Sequence, residues 1–323
     1  MPPAEQATLI VIRLFVDIWV PAVMADLDRL LDWRPDVIIR EEGEFAGPLV
    51  AALGGLPCAD HSWGPMRPRS LVETTAAAMA PVWRAHGIEP DPLAGFYRWL
   101  YFDICPPSLQ FPDATEEEVL HRLRPATGVM TGSEELPARL AALGTRPAIY
   151  VTLGTVARYN QDVAFFSAAI EAVSDLGPDV IVTLGPSGDP VSLGPQPSHV
   201  HVERFVPQGA ILPLCRAVVT NGGSGSVLGA LAYGVPVLCV PAPASPSQRR
   251  NADAVVRAGA GRSIERAEST TAAIRAEVFA LLEDPSYANV AGRVANEIEQ
   301  MPAVAEGVTL LDRLIDERRP LTA

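Results

Sequence analysis

The second half of the chain alternates short, continuous apolar runs with stretches of helical periodicity. The runs are Ala148 to Leu153, Val180 to Leu184, Ala217 to Thr220 and Val235 to Val240, and His199 to Glu203 is a further strand. Among them lie helical patterns over Asp162 to Asp175, Gln208 to Leu214 and Ser226 to Tyr233. A short apolar run bounded by turn residues marks a strand buried on both faces, and strands separated by helices pair in parallel. This half therefore predicts a doubly wound parallel sheet. Amphipathic helices over Ser247 to Ala258, Thr270 to Leu282, Tyr287 to Glu299 and Val304 to Glu317 close the chain.

The first half is less regular. A helix over Pro21 to Leu31, a strand over Asp36 to Arg40, a helix over Glu44 to Leu53 and a second strand ending at Ala59 form a βαβ unit. Helical pattern follows from Leu71 to Leu100, broken by a loop at Gly87 to Pro92. Pro-punctuated, irregular sequence then runs from Cys105 to Pro147. The expected organisation is an N-terminal domain over 1–112, a linker over 113–145 and a C-terminal domain with closing helices over 146–323. The first domain is expected to be incomplete, with about two strands. The apolar stretch Leu9 to Met24 is interrupted by Arg13 and Asp17 and has no Ala-x-Ala site after it, so it reads as a partly buried helix.

Charge then narrows the partners. A net charge of −13, with 25 basic residues that are all Arg, argues against nucleic acid or an anionic membrane as a binding surface. Cys58, Cys105, Cys215 and Cys239 show no metal-ligand spacing and sit in apolar surroundings, as reduced thiols of a cytoplasmic protein do. Asp26-Leu27-Asp28 lies on a predicted helix and reads as a solvated face rather than a metal site.

The most informative segment follows the strand Ala217 to Thr220: Asn221-Gly222-Gly223-Ser224-Gly225-Ser226, a Gly-rich turn opening a helix. Backbone N–H groups and the positive end of the helix dipole converge there, which suits a phosphate. The segment is neither a Walker motif nor a G-x-G-x-x-G fingerprint, and taken alone it also serves close packing. Upstream, Glu203-Arg204-Phe205-Val206-Pro207-Gln208 ends another strand, expected to neighbour the first. By itself Phe205 reads as a core aromatic; beside Gln208 at a strand end it could stack on a nucleobase while Gln208 hydrogen-bonds it.

Together with Ala230-Leu231-Ala232-Tyr233-Gly234-Val235-Pro236 and Gln248-x-x-Asn251-Ala252, these segments resemble the nucleotide-sugar-dependent glycosyltransferases of the bacterial antibiotic branch. Trp33-Arg34-Pro35-Asp36, Glu44-Phe45-Ala46-Gly47-Pro48, His61-Ser62-Trp63-Gly64 and Pro106-Pro107-Ser108-Leu109-Gln110 extend the resemblance upstream. The implied fold is α/β and GT-B-like, two Rossmann-type domains facing a cleft, with the N-terminal one incomplete. The implied activity is inverting transfer of a sugar, a deoxysugar by family branch, from a dTDP- or UDP-linked donor to a hydroxyl of a small hydrophobic acceptor such as a polyketide. That chemistry needs no metal or other cofactor.

The resemblance also implies a donor site made by Thr155, Phe205, Gln208, Asn221, Gly222, Gly223, Ser224, Gly225 and Gln248. The acceptor would lie around Glu41 to Phe45 and His61 to Gly64. Three departures stand out. Asn221 replaces a histidine of the family pattern, Ser247 replaces an acidic residue, and the loop carrying the family's catalytic histidine would lie upstream of Met1. Glu41 matches the acidic residue that orients that base, and His61 is the one histidine in the acceptor region, although a structural cap of a strand end is its plainer reading. Two other readings stay open: a noncatalytic nucleotide-sugar-binding or partner protein, and an epimerase on the same architecture. A protein partner or a second copy of the chain is left open as well.

Overall fold

The computed structural model describes residues 12–114, 117–126, 140, 143–156, 161–243 and 245–323. They fall into two compact units, one within 1–105, 110–125 and 301–323, the other within 106–109 and 126–300. No described helix is long and apolar enough to cross a membrane.

The first unit carries a four-stranded parallel sheet in the order β1 (Ile38–Glu41), β2 (Cys58–His61), β3 (Leu100–Asp103), β4 (Leu120–Arg122). Before it, a π-helical turn at Phe15–Trp19 leads into α1 (Val20–Ala25) and α2 (Leu27–Asp32). The crossovers after β1 and β2 contain α3 (Gly47–Gly54) and α4 (Arg69–Ala85). Glu44 accepts the N–H groups of Ala46 and Gly47 at 2.8 and 2.6 Å, placing its carboxylate at the positive end of α3. Arg40 and Asp60, paired in register on β1 and β2, form a buried ion pair at 2.6 Å. Arg40 also donates to the Glu44 carbonyl and lies over the Phe96 ring, while Asp60 accepts the Tyr97 N–H. A buried pair satisfied on several sides avoids leaving an uncompensated charge.

Two expectations about this unit are corrected. It holds four strands rather than two, because Leu100-Tyr101-Phe102-Asp103 and Leu120-His121-Arg122 are strands too short to carry periodicity. β4 lies inside the stretch expected to be linker, most of whose remainder, 127–139 and 141–142, lies outside the described residues. The last helix, α11 (Val304–Glu317), belongs to this first unit instead of the C-terminal domain. Leu314 and Leu321 share a core cluster with Ala59, Leu100, Phe102 and Leu123. Gly307 is the point of closest approach, since a Cβ there would stand 2.9 Å from Leu123.

The second unit is a six-stranded parallel sheet in the order β10-β9-β8-β5-β6-β7. Its strands are β5 (Ala148–Thr152), β6 (Asp179–Thr183), β7 (Val200–Glu203), β8 (Cys215–Thr220), β9 (Val237–Cys239) and β10 (Gly261–Ser263). Every residue of β5 and β6 is buried, as expected of strands covered on both faces. The helices are α5 (Val163–Val173), α6 (Gln208–Ile211), α7 (Ser224–Ala232), α8 (Pro246–Ala258), α9 (Thr271–Glu283) and α10 (Pro285–Gln300). Asp162 and Thr270 cap α5 and α9 through their side chains. The chain runs outward from β5 through β6 to β7, then returns to β8 on the other side of β5, so the topological switch lies between β5 and β8. β7 and β8, expected to be neighbours, are separated by β5 and β6.

Asp103 supplies a test of the first unit. It is fully buried and accepts from Cys105 N–H and twice from the Gln110 amide, whose oxygen in turn accepts the Met66 N–H. Burial pushes its carboxyl up to about 6, against the opposing pull of those donors and of Arg122. A carboxyl raised in the folded state binds its proton more tightly there than in the unfolded chain, so its contribution to stability is full below pH 4 and is lost as pH rises through 6. Asp103→Asn should remove that loss: its unfolding free energy relative to wild type should improve by about 3 kcal/mol between pH 3 and pH 7 in urea titrations. A pH-independent difference would refute the assignment.

Candidate functional site

A cavity of about 600 Å³ opens within the second unit at the C-terminal ends of its strands. It is lined from the ends of β5 and β6, the segment after β7, the turn after β8 and the first turn of α8. Binding sites in open α/β sheets form in this position, around the switch point.

The turn after β8 is held by its own side chains. Asn221 is buried, and its Nδ2 donates to the Leu153 carbonyl at 2.7 Å, joining the tips of β8 and β5. Its Oδ1 accepts the Gly223 N–H at 3.0 Å. Asn251, from α8, donates to the Gly222 carbonyl at 2.8 Å and to Ser224 Oγ at 2.9 Å. Gly222 has φ +80°, and a Cβ on it would stand 2.8 Å from the Gln248 carbonyl, so glycine is required on both counts. Gly223 then stands at the N-cap of α7, which has no side-chain cap. The first N–H groups of the helix, at Ser224 and Gly225, therefore belong to cavity-lining residues and have no side-chain capping partner.

Other expected donor residues take distinct places. Thr155 lines the cavity and is exposed. Gln248 is buried, and its Oε1 accepts the Ala242 N–H at 2.9 Å, which leaves Nε2 as the group free to donate. Gln208 lines the cavity and hydrogen-bonds Tyr150. Phe205 is 55% exposed at the cavity wall, which rules out the core-aromatic reading. Asn221 and Gly223 line the cavity too, but the Gly223 N–H and one Asn221 amide hydrogen are used within the turn. Gly222 is buried behind the turn and is absent from the lining.

Two features escaped the sequence reading. One is a buried hydroxyl chain on the floor: Tyr150 meets Thr183 Oγ1 at 2.7 Å, Thr183 donates to Thr152 at 2.9 Å, and Thr152 accepts the Gly154 N–H. Burial raises the Tyr150 phenol, which stays neutral as part of this chain. Aligned threonines on β5 and β6, in register at Thr152 and Thr183, were the available signal. The other is Arg204, exposed and the sole charged residue at neutral pH among the described residues of the lining.

In the first unit, Glu41 and His61 are register partners at the ends of β1 and β2, so both project from one face of the sheet. Glu41 accepts the Gly43 N–H at 2.8 Å, and burial raises its carboxyl against that bond and Arg67. His61 Nδ1 lies 2.8 Å from the Ser62 carbonyl. A carbonyl only accepts, so Nδ1 carries the proton and Nε2 of the neutral ring has a free lone pair. The described residues hold no group of His, Cys, Asp and Glu able to bind a metal ion.

Residues 7–152 match the family described as erythromycin biosynthesis protein CIII-like, N-terminal domain, and residues 167–314 match its C-terminal domain. Elloramycin glycosyltransferase ElmGT of Streptomyces olivaceus is 34% identical over 277 residues, covering 85% of this chain and 67% of that protein. Glycosyltransferase SnogD from Streptomyces nogalater superposes with a TM-score of 0.76 at 28% identity, covering 98% of this chain and 84% of that one. Spinosyn rhamnosyltransferase SpnG, solved with thymidine diphosphate, gives 0.78 at 26% identity, covering 96% and 80%. The chain thus spans about two thirds of the elloramycin enzyme. The two parallel sheets are the Rossmann-like sheets of the GT-B glycosyltransferase fold.

The turn makes its own predictions. Asn221→Ala strands the Leu153 carbonyl and should cost about 1–3 kcal/mol of unfolding free energy. Gly222→Ala should cost about 1–3 kcal/mol from backbone strain, with the overlap at Gln248 in addition. Chemical denaturation of both variants checks this, and wild-type stability in either would contradict the described bonding.

Proposed function

The chain belongs to the erythromycin biosynthesis protein CIII-like family of antibiotic glycosyltransferases, and from that premise we propose that it takes a sugar from a nucleoside diphosphate and passes it to a hydroxyl of a small apolar acceptor, with inversion. One observation carries the donor assignment: a single cavity joins an uncapped helix N-terminus at the switch point to an exposed aromatic ring at β7. β7 lies three strands from β8, roughly 14 Å at the usual strand spacing, which suits the length of a nucleoside diphosphate.

In this reading the diphosphate sits on the N–H groups of Ser224 and Gly225, with the Thr155 hydroxyl beside it, and the base stacks on Phe205. Gln208, held by Tyr150, meets the nucleoside. Gln248 Nε2 meets the sugar hydroxyls. Asn221, Gly222 and Gly223 shape the turn rather than hold the ligand, apart from the remaining Asn221 amide hydrogen. Thymidine is the favoured nucleoside, supported by the diphosphate bound to the spinosyn enzyme.

The acceptor oxygen forms a bond to the anomeric carbon as the bond to the diphosphate breaks, and the diphosphate leaves with the electron pair. Inversion follows from attack opposite the leaving group. The helix N-terminus stabilises the charge that develops on the departing oxygen. We assign the acceptor proton to His61 Nε2, with Glu41 on the same sheet face stabilising the imidazolium that results.

The test is incubation with a TDP-deoxysugar and a set of polyketide aglycones, with product mass by mass spectrometry and anomeric configuration by NMR. The expected product is the aglycone plus one sugar, of inverted configuration. Phe205→Ala should raise the donor KM about tenfold, the loss of one base-stacking contact. His61→Ala should lower kcat by about 10² or more and leave the donor KM unchanged. Unchanged kcat in His61→Ala removes it as the base. Tight donor binding without turnover would instead favour the noncatalytic nucleotide-sugar-binding reading.

A further inference from the structure

Arg204 is the unexplained residue of the cavity. It stands between β7 and Phe205, is exposed, and makes no ion pair or hydrogen bond with any other described residue. The rest of the described lining is hydroxyl, amide, backbone and apolar, with no carboxylate among the described residues. In a chain of net charge −13, a free guanidinium in such a wall is conspicuous. Its obvious partner would be the diphosphate, but the sheet order argues otherwise. The phosphate-binding turn follows β8, three strands away, or roughly 14 Å, beyond the reach of an arginine side chain once the ligand lies on the α7 amides. What lies beside Arg204 is the ring on Phe205.

Resting on the donor reading above, we propose that Arg204 is a specificity-determining residue that reads the edge of the nucleobase. A guanidinium has five donors and no acceptor. It therefore matches a base edge that presents carbonyl oxygens, as thymine and uracil do, and opposes an edge that presents an amino group, as adenine does. Phe205 supplies stacking energy to any base, because every base has a π-face. Arg204 supplies the discrimination that stacking lacks, favouring a base edge that presents carbonyl oxygens, as in thymidine and uridine nucleotides, over adenine.

Calorimetric titration with TDP and ADP separates the base from the phosphate, since the two ligands carry the same diphosphate. Wild-type protein should prefer TDP. Arg204→Ala, at an exposed position without internal bonds, should weaken TDP about tenfold, the worth of one charge-assisted hydrogen bond, and leave ADP unchanged or slightly improved. Arg204→Gln keeps an N–H donor without the charge and should recover part of the TDP affinity. An equal loss for both nucleotides would make Arg204 a phosphate ligand and overturn the proposal, as would no loss for either. Failure of the wild-type protein to bind TDP at all would overturn the donor reading itself, and this proposal with it.

Discussion

One hydrogen bond, from the Asn221 amide to the Leu153 carbonyl, ties together two strand ends whose outgoing chains diverge. The switch between β5 and β8 is the place where the sheet has no crossover to fill the space above it, so a cavity is a consequence of the topology. Whether that cavity keeps a defined shape depends on the turn after β8. Asn221 grips the neighbouring strand with one atom and the Gly223 N–H with another, and Asn251 holds the turn from α8. Gly222, in a left-handed conformation against the Gln248 backbone, lets the turn pass close enough for those bonds to form. The outcome is an α7 whose first amides belong to the cavity lining and have no side-chain cap, a preorganised site for negative charge.

That arrangement reconciles a strongly acidic chain with the anionic ligand proposed for it. Net charge describes the long-range field, whereas the described residues of the cavity present hydroxyls, backbone amides, a helix terminus and one arginine, with no carboxylate among them. The division of work follows from distance. Helix amides serve one end of the cavity, an exposed aromatic ring the other, and a buried chain of Tyr150, Thr183 and Thr152 fixes the floor between them. In the first unit, charge is handled differently. Arg40, Asp60 and Asp103 are buried and hydrogen-bonded on the strands, with Arg40 Nη2 left without a partner among the described residues, while Glu41 and His61 stand at the strand ends.

The fold of the second unit was legible because β5, β6, β8 and β9 show apolar runs, β7 alternates apolar and polar residues, and the longer helices show their period. β10, at Gly261-Arg262-Ser263, was not legible, since nothing apolar marks an edge strand of that length. In the first unit, β3 and β4 were missed because they are too short to carry periodicity, and α11 was placed with its sequence neighbours because its partner, the cluster around Phe102 and Leu123, is formed by distant residues. In the cavity, the Gly-rich turn and Phe205 were visible from residue type and position. Strand order was not, so β7 and β8 were taken as adjacent. Residue type also hid what bonding decides: Asn221 looks like a ligand donor until its Leu153 partner is seen, and Gly222 lines nothing although it belongs to the motif. Arg204 looked like one arginine among many, and only the composition of the cavity wall around it makes it distinctive.

The central claim is that a nucleoside diphosphate lies along the C-terminal ends of the strands, diphosphate at α7 and base at Phe205. A crystal structure of the protein soaked with thymidine diphosphate tests this directly. The account predicts diphosphate oxygens within hydrogen-bonding distance of the Ser224 and Gly225 N–H groups and the thymine ring stacked on Phe205. A nucleotide bound in the opposite direction, with its base at α7, or bound outside this cavity, would contradict it.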